Sequence, residues 1–387
     1  MKKKIAILGS TGSIGKSLLN IIARDIKSFE VILLSANKNY NELFRQAKKF
    51  MVKNLIICDL DSFKKAKQIY KDKNYNIFNN FDDFDKIFTT KVDYSMSAIV
   101  GLDGLNPTLN IIKYSKTLAI ANKETIICGW NLIKKKLTRY NVKFIPVDSE
   151  HFSIWSTIFS KKAIIEKIYL TASGGPFYNY KYSQLKNIKI SQALKHPTWK
   201  MGKKISIDSA TLINKIFEVI EAKKIFNIEL NKIKIIIHPS SYVHALIKFD
   251  NGLINLVAHD TSMEIPIFNS LYWGTNKSLK TKSLNFTKFN SLNFTYAKTV
   301  NFPLLNLIKS IPSKDSLFET VIVSANDHLV KLFLNKKIKF TDIIKVLLKI
   351  INMKSLTKYK KKSSSSVSEI IKTKNFTIKL INDLYPN

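Results

Sequence analysis

The sequence predicts an α/β protein: a doubly wound parallel sheet first, a central α+β domain next, and a helical domain last. Three observations carry this. Through residues 1–150 short apolar runs alternate with helical stretches, the rhythm of a parallel sheet covered on both faces. From 151 to 285 strand and helix signals mix, and beyond about 300 apolar residues recur at i, i+3 and i+4.

The elements follow in order. "KIAILGS" (4–10) and "EVILLSA" (30–36) read as strands, with "SIGKSLLNIIAR" (13–24) a helix between them. "NLIICD" (54–59), "VDYSMSAI" (92–99), "TLAIAN" (117–122) and "VKFIPVD" (142–148) continue the series. The middle region offers "EKIYLTA" (166–172), "KIKIIIH" (232–238) and "GLINLVA" (252–258) as strands, and "DSATLINKIFEVIEAKKIF" (208–226) as an amphipathic helix. "SLFETVIVSANDHLVKLFLNKKI" and "FTDIIKVLLKIINM" open the helical tail. "KYKKKSSSSVSE" (358–369) has the composition of a solvated loop.

Length and composition narrow the function classes. At 387 residues and 44.4 kDa the chain is long enough for two or three domains, and 45% hydrophobic residues can bury proper cores. No apolar run approaches the ~20 residues that span a bilayer. "MKKKIAIL" has a basic flank, but its apolar run covers only residues 5–8, so it reads as a buried strand rather than a signal peptide. Cys58 and Cys128 are the only cysteines, which fits a reducing cytoplasm. A formal net charge of +35 invites a nucleic-acid reading. Against it, Arg24, Arg45 and Arg139 are the only arginines, and the lysines are spread along the whole chain. Base recognition leans on the planar arginine fork, so no specific nucleic-acid partner is expected.

"GSTGSIG" (9–15) follows the first strand and opens a helix. Glycines there let the backbone turn tightly and approach a pyrophosphate at a positive helix N-terminus, as in Rossmann-like dinucleotide sites. Where a 2′-hydroxyl reader would supply an acid, the chain has "SANKN" (35–39), with Lys38 at the strand's end. A cation suits a 2′-phosphate, so NADP is expected over NAD. "ANKET" (121–125) ends another strand on the crevice side, which makes Asn122, Lys123 and Glu124 candidates for the nicotinamide or substrate.

"PVDSEH" (146–151) sets Asp148 and Glu150 around Ser149 in a chain poor in acid. Strand alternation would put both carboxylates on one face, as a hard cation such as Mg²⁺ or Mn²⁺ requires. The other reading is a capped turn that starts a helix. "LTASGGPF" (170–177) runs a strand into a turn whose amides could hold an anion. "ALKHPTWKMGKK" (193–204) carries His196 and Trp199, a pair able to close over a polar ligand. Ser209, Asn214 and Lys215 sit at or near a helix start and could hold a phosphate. Lys215, Glu218 and Glu221 share a broad helix face, either a solvated ion-pair stripe or the source of a third metal carboxylate.

Taken in order, "GSTGSIG", "AIVGLDGLNPT" (98–108), "ANKET", "PVDSEH", "SGGPF", "HPTWKMGKKISIDSAT" (196–211), "NKIFEVIEA" (214–222), "HPSSYVHALI" (238–247), "SAND" (324–327) and "FTDI" (340–343) resemble the 1-deoxy-D-xylulose 5-phosphate reductoisomerase family of the non-mevalonate isoprenoid pathway. The resemblance covers essentially the whole chain. It implies an NADPH-binding domain over 1–150, a catalytic domain over 151–285 with a lid at 173–202, a linker at 286–300 and a helical domain at 301–387. It places Thr11, Gly12, Ser13 and Ile14 on the NADPH pyrophosphate, Asn37, Lys38 and Asn39 at the 2′-phosphate end, and Asn122, Glu124 and Gly202 also on the cofactor side. It implies Asp148, Glu150 and Glu218 as ligands of a divalent metal, Mg²⁺ or Mn²⁺. Lys123, Ser149, Glu150, Ser173, His196, Trp199, Ser209, Asn214, Lys215 and Glu218 would contact the sugar phosphate substrate, with Lys123, Glu150, His196 and Glu218 the catalytic set. A cytoplasmic homodimer is implied as well.

Two departures stand out. Asn37 occupies a turn position where the family has Gly, and Asn tolerates positive φ. "DTSMEIPI" (260–267) carries Ser262 and Glu264 where the family has an acid and a base, which bears on a structural or dimer-contact role for this segment. The competing class is a metal-independent NADP-linked dehydrogenase of similar architecture, which would need no Glu218 carboxylate.

Overall fold

A computed structural model describes residues 1–71, 73–159 and 163–385. Residues 386–387, the end of the expected helical domain, lie outside the described residues. The chain forms two compact units. The first comprises Met1–Ile126, Leu132–Phe152 and Met263–Lys280; the second comprises Ile127–Asn131, Ser153–Ser262 and Thr281–Asn387.

The first unit is built on seven parallel strands: β1 (Lys3–Leu8), β2 (Phe29–Ala36), β3 (Asn54–Ile57), β4 (Asn76–Phe78), β5 (Val92–Ser97), β6 (Ser115–Ile120) and β7 (Lys143–Pro146). Their order is β4-β3-β2-β1-β5-β6-β7. The chain winds outward from β1 in one direction and then from β5 in the other, so a switch point lies between β1 and β5, where open sheets of this kind bind ligands. Ile5 and Ile7 of β1, Leu34 of β2 and Met96 of β5 are buried with Leu18, Leu19 and Ile22 of the helix Ser13–Arg24. The expected helix has these same bounds. The three-residue edge strand β4 was not foreseen.

Segment 263–280, which the sequence reading placed in the catalytic span, packs with this first unit instead. Its helix Glu264–Leu271 buries Ile267, Phe268 and Leu271 in the first core. Arg24 pairs with Glu264, Tyr94 Oη lies 2.7 Å from Ser270 Oγ, and Lys3 Nζ donates to Leu271 O at 2.9 Å. The departure at Glu264 is thus matched by Arg24, and the segment has a structural role.

The second unit contains a mixed sheet of β8 (Ile165–Ala172), β9 (Ile233–Ile237), β10 (Val243–Phe249), β11 (Ile254–Ala258) and β12 (Thr295–Tyr296), in the order β11-β10-β8-β9-β12. Only β8 and β9 run parallel. Ile168, Leu170, Ile235, Ala245 and Ile247 form its core with Val219 and Ala222 of the helix Ile213–Phe226. The helices Phe318–Leu334, Phe340–Ile350 and Val367–Leu384 belong to this unit too. Residues 286–300, expected as a linker, hold a short helix, Phe286–Asn290, and the strand β12. Of the stretch 358–369, expected as a loop, Lys358–Lys361 form a 3-10 helix, and Ser366 accepts from Glu369 N at 3.2 Å and so caps the final helix.

Candidate active site

The turn after β1 shows how its glycines are used. Gly9 has φ +83°, and a Cβ there would come within 2.8 Å of Ala98 O; one on Gly15 would meet Ser10 Cα at 2.5 Å. The turn is pinned by Gly9 N donating to Ser35 Oγ at 2.8 Å, Ser10 N to Ser35 O at 2.9 Å, and Ser10 Oγ to Gln46 Oε1 at 2.7 Å. Thr11 and Ile14 are half-buried, and Gly12 and Ser13 are exposed. The helix that starts at Ser13 has no side-chain cap and no acid in its first turn. Its positive end is therefore suited to an outside anion.

At the end of β2, Lys38 is exposed, with Nζ 3.7 Å from Asp59 Oδ2. Asn39 caps the helix Tyr40–Phe50, accepting from Glu42 N at 3.2 Å. Asn37 is not among the described residues with positive φ, so the turn closes without a left-handed residue there.

β6 and β7 are neighbours, and both deliver site residues from their C-terminal ends. Asn122 caps the helix Lys123–Arg139, accepting from Thr125 N at 2.9 Å, while its amide donates to Ile99 O and, at 2.7 Å, to Gly101 O. Lys123 and Glu124 are buried in that helix's first turn. Lys123 pairs with Asp148, whose other oxygen lies 3.0 Å from His151 Nδ1. Burial opposes charge on Asp148, but Lys123 and the His151 hydrogen bond outweigh it and hold the carboxyl well below the usual carboxylate range. Ser149 Oγ donates to Glu150 Oε2 at 2.6 Å.

The alternation argument for Asp148 and Glu150 does not hold. β7 ends at Pro146, and Ser149–Ile158 is a helix. Phe152 N donates to Asp148 O at 2.7 Å, so Asp148 stands at the helix entrance and Glu150 in its first turn.

The second unit assembles the other set. Gly202 precedes the helix Lys203–Ala210, which carries Ser209. Leu212, buried and at φ +64°, turns the chain into the helix Ile213–Phe226, which carries Asn214, Lys215 and Glu218. Such a conformation costs a β- or γ-branched residue of order 1 kcal/mol or more. Asn214 Nδ2 donates to Glu218 Oε1 at 2.6 Å, and Lys215 pairs with Glu218. Lys215, Glu218 and Glu221 are all buried, which rules out the solvated stripe.

His196 ties Ser173 to Ser209 of this group. Its Nε2 is 2.9 Å from Ser173 Oγ and 3.1 Å from Ser209 Oγ, and its Nδ1 accepts from Thr198 N and Trp199 N. Burial pushes the imidazole down to about 4. Trp199 is half-buried, edge-on to His244 at 6.0 Å.

Family models of the 1-deoxy-D-xylulose 5-phosphate reductoisomerase match residues 5–129, and those of its C-terminal domains match 144–226 and 260–378. The 1-deoxy-D-xylulose 5-phosphate reductoisomerase of Pelagibacter ubique (strain HTCC1062) is 55% identical over 371 residues, 95% of this chain and 96% of that one. This chain belongs to the 1-deoxy-D-xylulose 5-phosphate reductoisomerase family. The solved reductoisomerase from Zymomonas mobilis in complex with NADPH aligns with a TM-score of 0.89 at 32% identity over 100% of both chains. A reductoisomerase structure with NADPH, fosmidomycin and magnesium aligns at 0.91 and 27% identity, covering 98% of each chain.

Other reductoisomerase residues in this chain were not singled out by sequence reasoning. Ser241, at φ +52°, accepts from Thr198 Oγ1 at 3.2 Å and so holds the segment around Trp199. His244 of β10, which Trp199 meets edge-on, stacks on His259 at 3.7 Å. The "HPSSYVHALI" motif held both Ser241 and His244, but nothing in its spacing separates a residue that bonds Thr198 from a strand residue.

Proposed function

We propose that the chain works as a cytoplasmic homodimer whose two residue sets carry out one reaction: NADPH- and divalent-metal-dependent conversion of 1-deoxy-D-xylulose 5-phosphate to 2-C-methyl-D-erythritol 4-phosphate. Membership of the reductoisomerase family along 95% of the chain carries the activity. The residue roles rest on the resemblance and on the local chemistry of each set.

Asp148, Glu150 and Glu218 have the all-carboxylate donor composition that a hard cation takes. Asp148 is kept ionised, as a ligand must be. The bound Mg²⁺ or Mn²⁺ supplies Lewis acidity for the carbon-skeleton rearrangement. Lys123 balances the charge of Asp148. NADPH supplies the reducing equivalent for the aldehyde that the rearrangement yields. Thr11, Gly12, Ser13 and Ile14 would receive its pyrophosphate at the uncapped helix end. Lys38 would face the 2′-phosphate with Asn37 and Asn39, and Asn122, Glu124 and Gly202 would line the rest of the cofactor's path.

Ser173, His196, Ser209, Asn214 and Lys215 offer hydroxyl, imidazole, amide and ammonium groups to the substrate's phosphate and hydroxyls, with Ser149 and Glu150 on the reacting side. Trp199 and the lid at 173–202 would exclude water once the phosphate is held. Among the described residues no helix is long and apolar enough to cross a membrane. β11 is an edge strand with exposed Leu253, Ile254 and Leu256 around it. Such an edge calls for a covering partner, and a second copy of the chain is the occupant we assign.

The test is NADPH consumption with 1-deoxy-D-xylulose 5-phosphate, with Mg²⁺, with Mn²⁺ and after chelation. Metal-dependent turnover is expected. Turnover that survives complete chelation would instead mark a metal-independent dehydrogenase.

A further inference from the structure

The "SAND" stretch belongs to the tail of the chain, yet its side chains engage the helix that carries Ser209. Asn326 Nδ2 donates to Asp208 Oδ1 at 2.8 Å. Lys204 Nζ lies 3.1 Å from Asp208 Oδ2 and 2.9 Å from Asp327 Oδ1. The same ammonium sits 5.7 Å from the ring centroid of Phe217, the residue before Glu218. Asp208 and Asn326 are 2% and 0% exposed, so their bond is made away from water, where loss of one partner leaves the other expensively unsatisfied. Asp208 is next to Ser209, whose Oγ is 3.1 Å from His196 Nε2. On its far side the Ser209 carbonyl is crowded by the lid's first turn: a Cβ on Gly175 would come within 2.8 Å of Ser209 O. The helix therefore has little freedom to slide without disturbing both Ser173 and His196.

We propose that Asp208 and Asn326, braced by Lys204 and Asp327, are positioning residues for the substrate's phosphate subsite. They set the place of Ser209 and through it the His196–Ser173 contact, without touching substrate themselves. This rests on Ser209 being a substrate contact. The bond is a carboxylate accepting from an amide, and its two ends are nearly the same size. It can therefore be reversed: Asp208→Asn with Asn326→Asp keeps the charge count, restores a donor opposite an acceptor, and leaves Lys204 the Asp327 carboxylate with an amide oxygen at position 208.

The experiment compares Asp208→Asn, Asn326→Asp, the double exchange and Ser209→Ala. It measures KM and kcat with 1-deoxy-D-xylulose 5-phosphate, the Kd of NADPH and the melting temperature. Asn326→Asp sets two carboxylates against each other, and Asp208→Asn strips the accepting oxygen of its charge and takes away one of the two carboxylates that Lys204 pairs with. Each should raise KM about tenfold or more, the loss of one charge-assisted bond, while the NADPH Kd stays within about twofold. The double exchange should recover most of the KM. A KM that neither single variant moves, or a loss that tracks melting temperature and is not rescued in the double variant, would overturn the proposal. If Ser209→Ala also leaves KM unchanged, the substrate role of Ser209 has failed; if Ser209→Ala raises KM and the exchange series does not, only the positioning role has failed.

Discussion

His196 shows how the backbone selects the protonation state of a side chain. Thr198 N and Trp199 N reach Nδ1 at 3.2 and 3.0 Å, and both can only donate. Nδ1 must therefore be bare, and the ring proton sits on Nε2, facing Ser173 and Ser209. A proton added at Nδ1 would confront two N–H groups and undo the turn that places Trp199. Burial works in the same direction, lowering the imidazole from 6.5 to about 4. The folded form therefore resists a proton that the unfolded form accepts. The stabilisation is complete above pH 6.5 and is lost as pH falls from there toward 4. Urea melts between pH 7.5 and 4.5 should show wild type losing stability across this window more steeply than His196→Gln, which has no proton to take up. Parallel pH profiles for the two proteins would mean that the imidazole is not held in this way.

At the scale of elements, the helix Ile213–Phe226 poses a question that burial does not answer. Glu218 and Glu221 are one turn apart and are both 1% exposed. Glu218 is bonded to Asn214 and Lys215, the expected phosphate ligands. If it is the third metal carboxylate, Glu218→Gln should weaken Mn²⁺ binding in calorimetry and lower kcat by ~10²-fold or more. Glu221→Gln should cost no more than an orienting neighbour does, about tenfold in metal affinity. The reverse order would move the ligand to Glu221. Elements with one strong local signal were legible in the sequence. The helix Ser13–Arg24 has a glycine entrance and an apolar stripe, and its expected bounds match. β10 was missed because Val243, His244, Ala245, Ile247 and Phe249 are all buried, so the strand has no polar alternation to betray it, and a histidine interrupts its apolar run. Asp148 and Glu150 were found for a reason that failed: their crowding in an acid-poor chain was visible, but whether strand or helix presents them depends on where β7 stops. The Asp208–Asn326 bond could not be read at all, since its partners are 118 residues apart.

For the whole molecule, the dominant fact is a formal net charge of +35. Its ion pairs include several buried or half-buried ones, such as Lys224 with Asp315 at 2.6 Å and Lys204 with Asp327 at 2.9 Å, but the surplus lysines have too few acids to meet. Two consequences of opposite sign follow. Self-repulsion of like charges disfavours the compact state, and salt relieves it because screening shortens to ~10 Å at 0.1 M. The substrate and NADPH are both anions, so the same positive field should speed their encounter, and salt should weaken that advantage. Raising NaCl from about 20 to about 300 mM should therefore raise the melting temperature by a few degrees while lowering kcat/KM for the sugar phosphate by roughly tenfold, the low end of electrostatic steering. kcat at saturation should change little, because steering acts on encounter. A melting temperature that falls with salt would show that specific ion pairs outweigh the net repulsion. A kcat/KM indifferent to salt would show that the lysines surround the molecule too evenly to direct an anion toward the site.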